Sequence, residues 1–248
     1  MRTVAVVLAG GTGQRFGGDT PKQLHVLAGR TLVEHSVAAF DEAPGVDEIT
    51  VVMPPGLAGA AREQFAAAVG SGYRKVTGVI EGGATRTDST RCAIAALGRA
   101  ERNVLFHDAA RPLLGQRIIA DCVRALATDL AIGVAVPSSD TIVEVSDGVV
   151  AGMPRRDALA RCQTPQGFRL SVIRRAYQLA DADPGFPERP ATDDCGIVHR
   201  YLPDVPVRLV PGSERNIKIT YPDDLAVAEA LLAGRVARGG VCRHPGKG

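Results

Sequence analysis

Three short stretches hold most of the residues whose types and spacing could do chemistry. The first is Gly10-Gly11-Thr12-Gly13-Gln14-Arg15, with Lys22 on the same loop. Glycine tolerates the dihedrals that turn successive backbone N–H groups toward one anion, and it leaves no side chain in the way. Two cations beside such a turn would hold a triphosphate and neutralise charge developing on it. The order is neither that of a P-loop, G-x-x-x-x-G-K-[ST], nor that of the dinucleotide fingerprint, G-x-G-x-x-G. The competing reading is a plain glycine turn with solvated charges.

The second stretch is Phe106-His107-Asp108-Ala109-Ala110-Arg111-Pro112. Asp108 could coordinate Mg²⁺, a hard cation that takes carboxylate and phosphate oxygens, or it could simply pair with Arg111. His107, one histidine without a ligand partner, reads as structural. The third stretch is Gly82-Gly83-Ala84-Thr85-Arg86-Thr87-Asp88-Ser89. Its small residues make room for a flat base. Ser89 can cap the following helix, contact a ligand, or do both.

These stretches need strands and helices to position them. Residues 4–9 form a short, β-branched, unbroken apolar run, the pattern of a buried strand, and the glycine loop follows it. Further strands are predicted at 49–53, 76–80, 103–107, 132–136 and 207–209, with helices at 31–40, 58–69, 89–97 and 222–232. The alternation implies an α/β fold: a mostly parallel sheet covered by helices on both faces, with ligands at the carboxyl ends of its strands. Residues 141–145 and 149–153 flank Ser146-Asp147-Gly148, a hairpin signal. That hairpin breaks the strand–helix rhythm and is expected to project as an arm at about 138–156. Residues 1–235 are read as one domain and 236–248, rich in Gly, Arg and Pro, as a disordered tail.

The 248 residues carry a net charge of +2, too little for a nucleic-acid or membrane surface. No apolar run is long enough to span a membrane. The five cysteines are odd in number and lack C-x-x-C spacing, so a reducing cytoplasm is the expected setting.

Six segments taken together resemble one family. They are Leu8 through Arg15, Thr20-Pro21-Lys22-Gln23, Gly82 through Ser89, His107 through Pro112, Gln163-Thr164-Pro165-Gln166 and Asn216-Ile217-Lys218-Ile219-Thr220. The set is similar to the CTP-dependent cytidylyltransferases acting on 2-C-methyl-D-erythritol 4-phosphate or D-ribitol 5-phosphate, over residues 3–233. The resemblance implies a Rossmann-like sheet and a homodimer whose hairpin arms embrace. It implies that Ala9, Gly10, Gly11 and Gly13 wrap the CTP triphosphate and that Arg15, Lys22 and Lys218 stabilise the α-phosphorus. Gly83, Ala84 and Ser89 would read cytosine, while Asp108 and Ala109 sit near the ribose and Asp108 binds Mg²⁺. Arg111, Thr141, Arg156, Thr164 and Thr192 would hold the polyol phosphate, Thr141 and Arg156 from the partner's arm. Arg155 competes with its neighbour Arg156 for that role.

Between the two polyols, the stretches Ser138-Ser139-Asp140-Thr141, Gln163 before Thr-Pro-Gln and Ala191-Thr192-Asp193-Asp194-Cys195-Gly196 look more like the ribitol branch. The expected reaction is therefore CTP with D-ribitol 5-phosphate, with methylerythritol phosphate as the alternative. Thr192, Asp193 and Asp194 would offer polar acceptors to polyol hydroxyls, unless Thr192 simply caps the next helix. A ribitol enzyme of this length would need a separate reductase. Two rivals are a UTP- or GTP-dependent hexose 1-phosphate nucleotidyltransferase and a nucleotide-binding protein without turnover.

Overall fold

The first strand shows why the sheet forms where it does. All six residues of Thr3–Leu8 are buried, with Val4, Val6 and Leu8 in one apolar cluster and Ala5, Val7 and Ala9 in another. A strand covered on both faces must be apolar throughout, so the run is continuous rather than alternating.

The computed structural model describes residues 1–11, 16, 21–69 and 73–239. Along the chain these form β1 (Thr3–Leu8), the short strands β2 (Val26–Leu27) and β3 (Arg30–Thr31), α1 (Leu32–Asp41), β4 (Glu48–Met53) and α2 (Ala58–Val69). Then come β5 (Val76–Glu81), α3 (Arg86–Ala96), β6 (Asn103–Asp108), α4 (Gln116–Ala125) and β7 (Ala131–Pro137). The rest comprises β8 (Glu144–Ser146), β9 (Val149–Gly152), β10 (Ala160–Arg169), α5 (Leu170–Ala182), α6 (Asp194–Tyr201), β11 (Val207–Pro211) and α7 (Asp223–Gly239). Seven strands make the main sheet in the order β11-β7-β10-β6-β1-β4-β5. Only β10 runs antiparallel to its neighbours, β6 and β7. The mixed α/β fold expected from the alternation is what the chain adopts.

Helices α1, α2 and α4 pack on one face through Val33, Val37, Phe40, Phe65, Ile118 and Ile119. Helices α3, α5 and α6 pack on the other through Ile94, Ile173, Tyr177 and Ile197. Phe168 of β10 meets Phe106 of β6 there, ring centroids 6.3 Å apart. No element was expected at 116–125 or 160–182, where α4, β10 and α5 form, and α6 at 194–201 is the helix considered after Thr192.

Two helix starts are set by reciprocal capping boxes. Thr31 pairs with Glu34 at α1, and Thr85 pairs with Asp88 at α3. Helix α3 therefore begins at Arg86, and the capping role considered for Ser89 belongs to Thr85. The final helix runs on to Gly239, past residue 235 where a tail was expected, and residues 240–248 lie outside the described residues.

The hairpin is as predicted, although only 144–146 and 149–152 pair. Asp147 and Gly148 have φ of 52° and 80°, the left-handed pair that matches strand twist in a two-residue turn. Its apolar side chains face solvent: Val145 is 64% exposed and Val149 65%.

The chain leaves β1 toward β4 on one side and returns at β6 on the other. Loops beyond the two strands diverge, opening a crevice at their carboxyl ends, where Leu8 lies opposite Asp108. The loop after β5 closes against it: a Cβ added at Gly10 or at Gly82 would lie 2.5 Å from Ser89 Oγ. Gly10→Ala should destabilise the protein by about 1–3 kcal/mol through overpacking. Ser89→Ala in the same chain should give part of that back, so a double-mutant cycle in urea shows favourable coupling. Strictly additive losses would contradict the close approach.

Candidate active site

The crevice is a cleft of about 460 Å³. Ala9, Gly10 and Gly11 line it from the loop after β1, and Lys22 and Gln23 from a short 3-10 turn. Arg86 and Ser89 reach it from α3, Asp108 and Ala109 from the end of β6, and Lys218 and Thr220 from the loop before α7. Of the residues expected around the nucleotide, Gly13 and Arg15 lie outside the described residues.

Asp108 is the centre of the cleft. Arg86 Nε donates to its Oδ1 at 3.0 Å and Lys218 Nζ to its Oδ2 at 2.7 Å. Burial alone would raise this carboxyl's pKa, but Arg86 and Lys218 outweigh it and hold the group far below the usual carboxylate range. Asp108 is thus ionised at any working pH. Its partner is not Arg111, whose Nη1 and Nη2 donate to the carbonyls of Asn216 and Cys162 at 2.7 and 3.3 Å.

Arg86 had no assigned role, yet it holds the site together. Its Nη2 lies 2.9 Å from Asp194 Oδ2. Burial would lower its pKa, and the carboxylates of Asp194 and Asp108 more than reverse that. Asp194 is fully buried and accepts from Tyr177 Oη at 2.7 Å. Two cations and two carboxylates therefore alternate in one line: Lys218, Asp108, Arg86, Asp194.

Lys218 is placed by its own loop. Asn216, fully buried, donates from Nδ2 to Thr164 O at 2.9 Å and Gln163 Oε1 at 3.3 Å. Ile219 N donates to Ala110 O at 2.8 Å, and Lys22 Nζ donates to Ile219 O at 2.8 Å. The same five-residue segment thereby brings both lysines to one cleft.

His107 has the structural role expected of it. It is fully buried between Thr164 Oγ1, 2.9 Å from Nδ1, and Arg111 O, 3.1 Å from Nε2. Burial pushes its pKa down to about 4, so the ring is neutral. Thr164 also accepts from Asp108 N at 3.2 Å. Thr164 and Arg111, expected at the polyol phosphate, make these bonds in support of Asp108 and Lys218, and Arg111 Nε is left buried without a hydrogen-bond partner.

Gly83 N donates to Ser89 Oγ at 3.3 Å, and that hydroxyl donates to Thr85 O at 3.0 Å. A Cβ at Gly83 would fall 2.3 Å from Asp88 Cβ, so glycine is required in this turn. Gly83 and Ala84 border the cleft without lining it. Thr141 and Arg156 stand exposed on the arm, and Thr192 is exposed just before α6. Asp193, not Thr192, caps α6: its Oδ1 accepts from Gly196 N and its Oδ2 from Gln166 Nε2, both at 2.7 Å. With Asp194 buried in its ion pair, neither carboxylate is the free acceptor for polyol hydroxyls that the sequence suggested.

Among the described residues, no three His, Cys, Asp or Glu side chains converge as a metal site. No helix among them is long and apolar enough to cross a membrane.

Comparison with known proteins agrees with this geometry. A relative from Thermobifida fusca (strain YX), a 2-C-methyl-D-erythritol 4-phosphate cytidylyltransferase, is 53% identical over 244 residues, 96% of each chain. A bifunctional ribulose 5-phosphate reductase/CDP-ribitol pyrophosphorylase from Haemophilus influenzae is 38% identical over 94% of this chain but only 49% of its own length. The crystal structure of 4-diphosphocytidyl-2C-methyl-D-erythritol synthase from Anaerococcus prevotii DSM 20548 superposes with a TM-score of 0.78 at 27% identity, covering 94% of this chain and 98% of that one. The model of one family matches residues 3–234. With Gly10 and Gly11, its two lysines and Asp108 gathered in one cleft, the chain belongs to the 2-C-methyl-D-erythritol 4-phosphate cytidylyltransferase (IspD) family, and is a nucleotidyltransferase.

Proposed function

We propose that the protein transfers the cytidylyl group of CTP to 2-C-methyl-D-erythritol 4-phosphate. The observation that carries the chemistry is the meeting of Lys22, Lys218 and Asp108 in a cleft walled by Gly10 and Gly11. The choice of polyol corrects the ribitol expectation. The relative at 53% identity is named for methylerythritol phosphate, the ribitol relative stands at 38%, and Asp193 and Asp194 are both engaged elsewhere. With this substrate a separate reductase has no role.

A phosphate oxygen of the polyol phosphate attacks the α-phosphorus of CTP in line. The bond to the bridging oxygen breaks and pyrophosphate leaves. A phosphate dianion is already deprotonated near neutral pH, so no protein nucleophile or base is needed. The protein's task is to hold two anions together and offset the charge that builds up. Backbone N–H groups at Gly10 and Gly11 face the triphosphate, Lys22 and Lys218 face the α-phosphate, and the small turn at Gly82 and Gly83 leaves space for cytosine beside Ser89. A single carboxylate suits Mg²⁺ arriving with nucleotide phosphates, which takes one or two carboxylates and keeps several waters. Asp108 is the residue that would hold it, and the ion would supply charge neutralisation.

The site for the polyol phosphate is completed by a second copy of the chain. Thr141 and Arg156 lie on an arm whose apolar residues are uncovered. Arg155 is already paired with Asp157, whereas Arg156 makes no ion pair among the described residues, which favours Arg156 as the phosphate ligand. The four described cysteines are unpaired, in keeping with a reducing cytoplasm.

Lys22→Ala and Lys218→Ala should each lower kcat by about 10²–10³ with the fold retained, as expected for loss of one pre-placed donor. Pyrophosphate release and circular dichroism check this, and near-wild-type turnover in either folded variant would refute the assignment. Light scattering of the active protein at micromolar concentration should give the mass of two chains, and Val145→Asp with Val150→Asp should shift it toward one. Offered both substrates at equal concentration, the protein should show the higher kcat/KM for methylerythritol phosphate. Preference for D-ribitol 5-phosphate would overturn the substrate choice while leaving cytidylyl transfer intact.

A further inference from the structure

Arg86 is the first residue of α3 and touches two ligand-facing segments at once. Its Nε is 3.0 Å from Asp108 Oδ1, on the nucleotide side. Its Nη2 is 2.9 Å from Oδ2 of Asp194, the first residue of α6. Thr192, which the family resemblance assigns to the polyol phosphate, stands just before that helix. Asp194 lies outside the cleft lining, fully buried, with Tyr177 Oη donating to Oδ1 and its own N donating to Gln166 Oε1 at 3.0 Å. It is too enclosed to touch a substrate, yet it is fixed to the start of α6.

A guanidinium is a rigid planar fork, so one side chain can hold two carboxylates from different elements. An ammonium is a point charge and can serve one well, not both. The Arg86–Asp194 contact has ion-pair distance without hydrogen-bond alignment, leaving both of its buried atoms short of a hydrogen bond.

We propose that Arg86 is a positioning residue that couples the two substrate sites. It sets Asp108 for the nucleotide and, through Asp194, sets the Thr192 segment for the polyol phosphate. The polyol half rests on the substrate reading above, while the nucleotide half does not. Each substrate then strengthens binding of the other by the same factor, as linkage requires.

Titration calorimetry on the intact protein tests this with two probes. One is CTP with Mg²⁺; the other is 2-C-methyl-D-erythritol 4-phosphate with and without a non-hydrolysable CTP analogue. Wild type should show mutual strengthening of about fivefold or more. Arg86→Gln should weaken CTP binding about tenfold, the loss expected for one charge-assisted hydrogen bond. Arg86→Lys should recover CTP binding but not the coupling. Asp194→Asn, which leaves the Arg86–Asp108 contact in place, should keep CTP affinity near wild type and lose the coupling. A merely structural role would lower the melting temperature of these variants while the folded protein kept wild-type CTP affinity and coupling, and that result overturns the proposal. Should Arg86→Gln not fold, the Arg86→Lys and Asp194→Asn couplings decide in the same way. If the polyol phosphate does not bind wild type, the substrate reading fails and the coupling falls with it. The CTP affinity of the Arg86 variants still decides the Asp108 half.

Discussion

The rest of the site depends on one carboxylate held between two cations. Asp108 sits at the end of a fully buried strand, where an unpaired charge would be strongly destabilising. Arg86 and Lys218 answer that need from opposite sides. Because they come from α3 and from the loop before α7, pairing with Asp108 fixes where those two segments lie. Each needs its own support. Lys218 draws on Asn216, Gln163 and Thr164, and Arg86 draws on Asp194 and Tyr177. The buried polar side chains of β10 therefore act as scaffolding for charges on other elements.

This arrangement suits a reaction between two anions. Pre-placed cations in a partly dehydrated cleft need little reorganisation when negative charge develops, which is where such groups contribute most to rate. The line Lys218, Asp108, Arg86, Asp194 is neutral as a set, so Lys22 leaves the cleft with a net positive charge suited to anionic substrates. The neutral imidazole of His107 adds no charge; it ties Thr164 to the Arg111 backbone and packs edge-on against Phe40.

The sequence made the parallel strands and the arm legible because each is marked locally, by an unbroken apolar run or by Asp-Gly between alternating residues. Strand β10 was not, because Gln163, Thr164, Pro165 and Gln166 interrupt any apolar period, and their burial follows from partners far away in the chain. Arg86 was hidden for the same reason: nothing beside it marks it, and its two carboxylates lie 22 and 108 positions on. Ser89 was misplaced as a cap because Thr85-x-x-Asp88 forms a complete capping box one turn earlier. Thr192-Asp193-Asp194 looked like ligands for hydroxyls, but helix capping and ion pairing claim both carboxylates first.

A crystal structure of the protein with Mg²⁺ and a non-hydrolysable CTP analogue tests the central claim most directly. The expected result is the α-phosphate within hydrogen-bond reach of Lys218, with Arg86 still bridging Asp108 and Asp194. A nucleotide bound elsewhere, or Arg86 turned away from Asp108 in the complex, would contradict it.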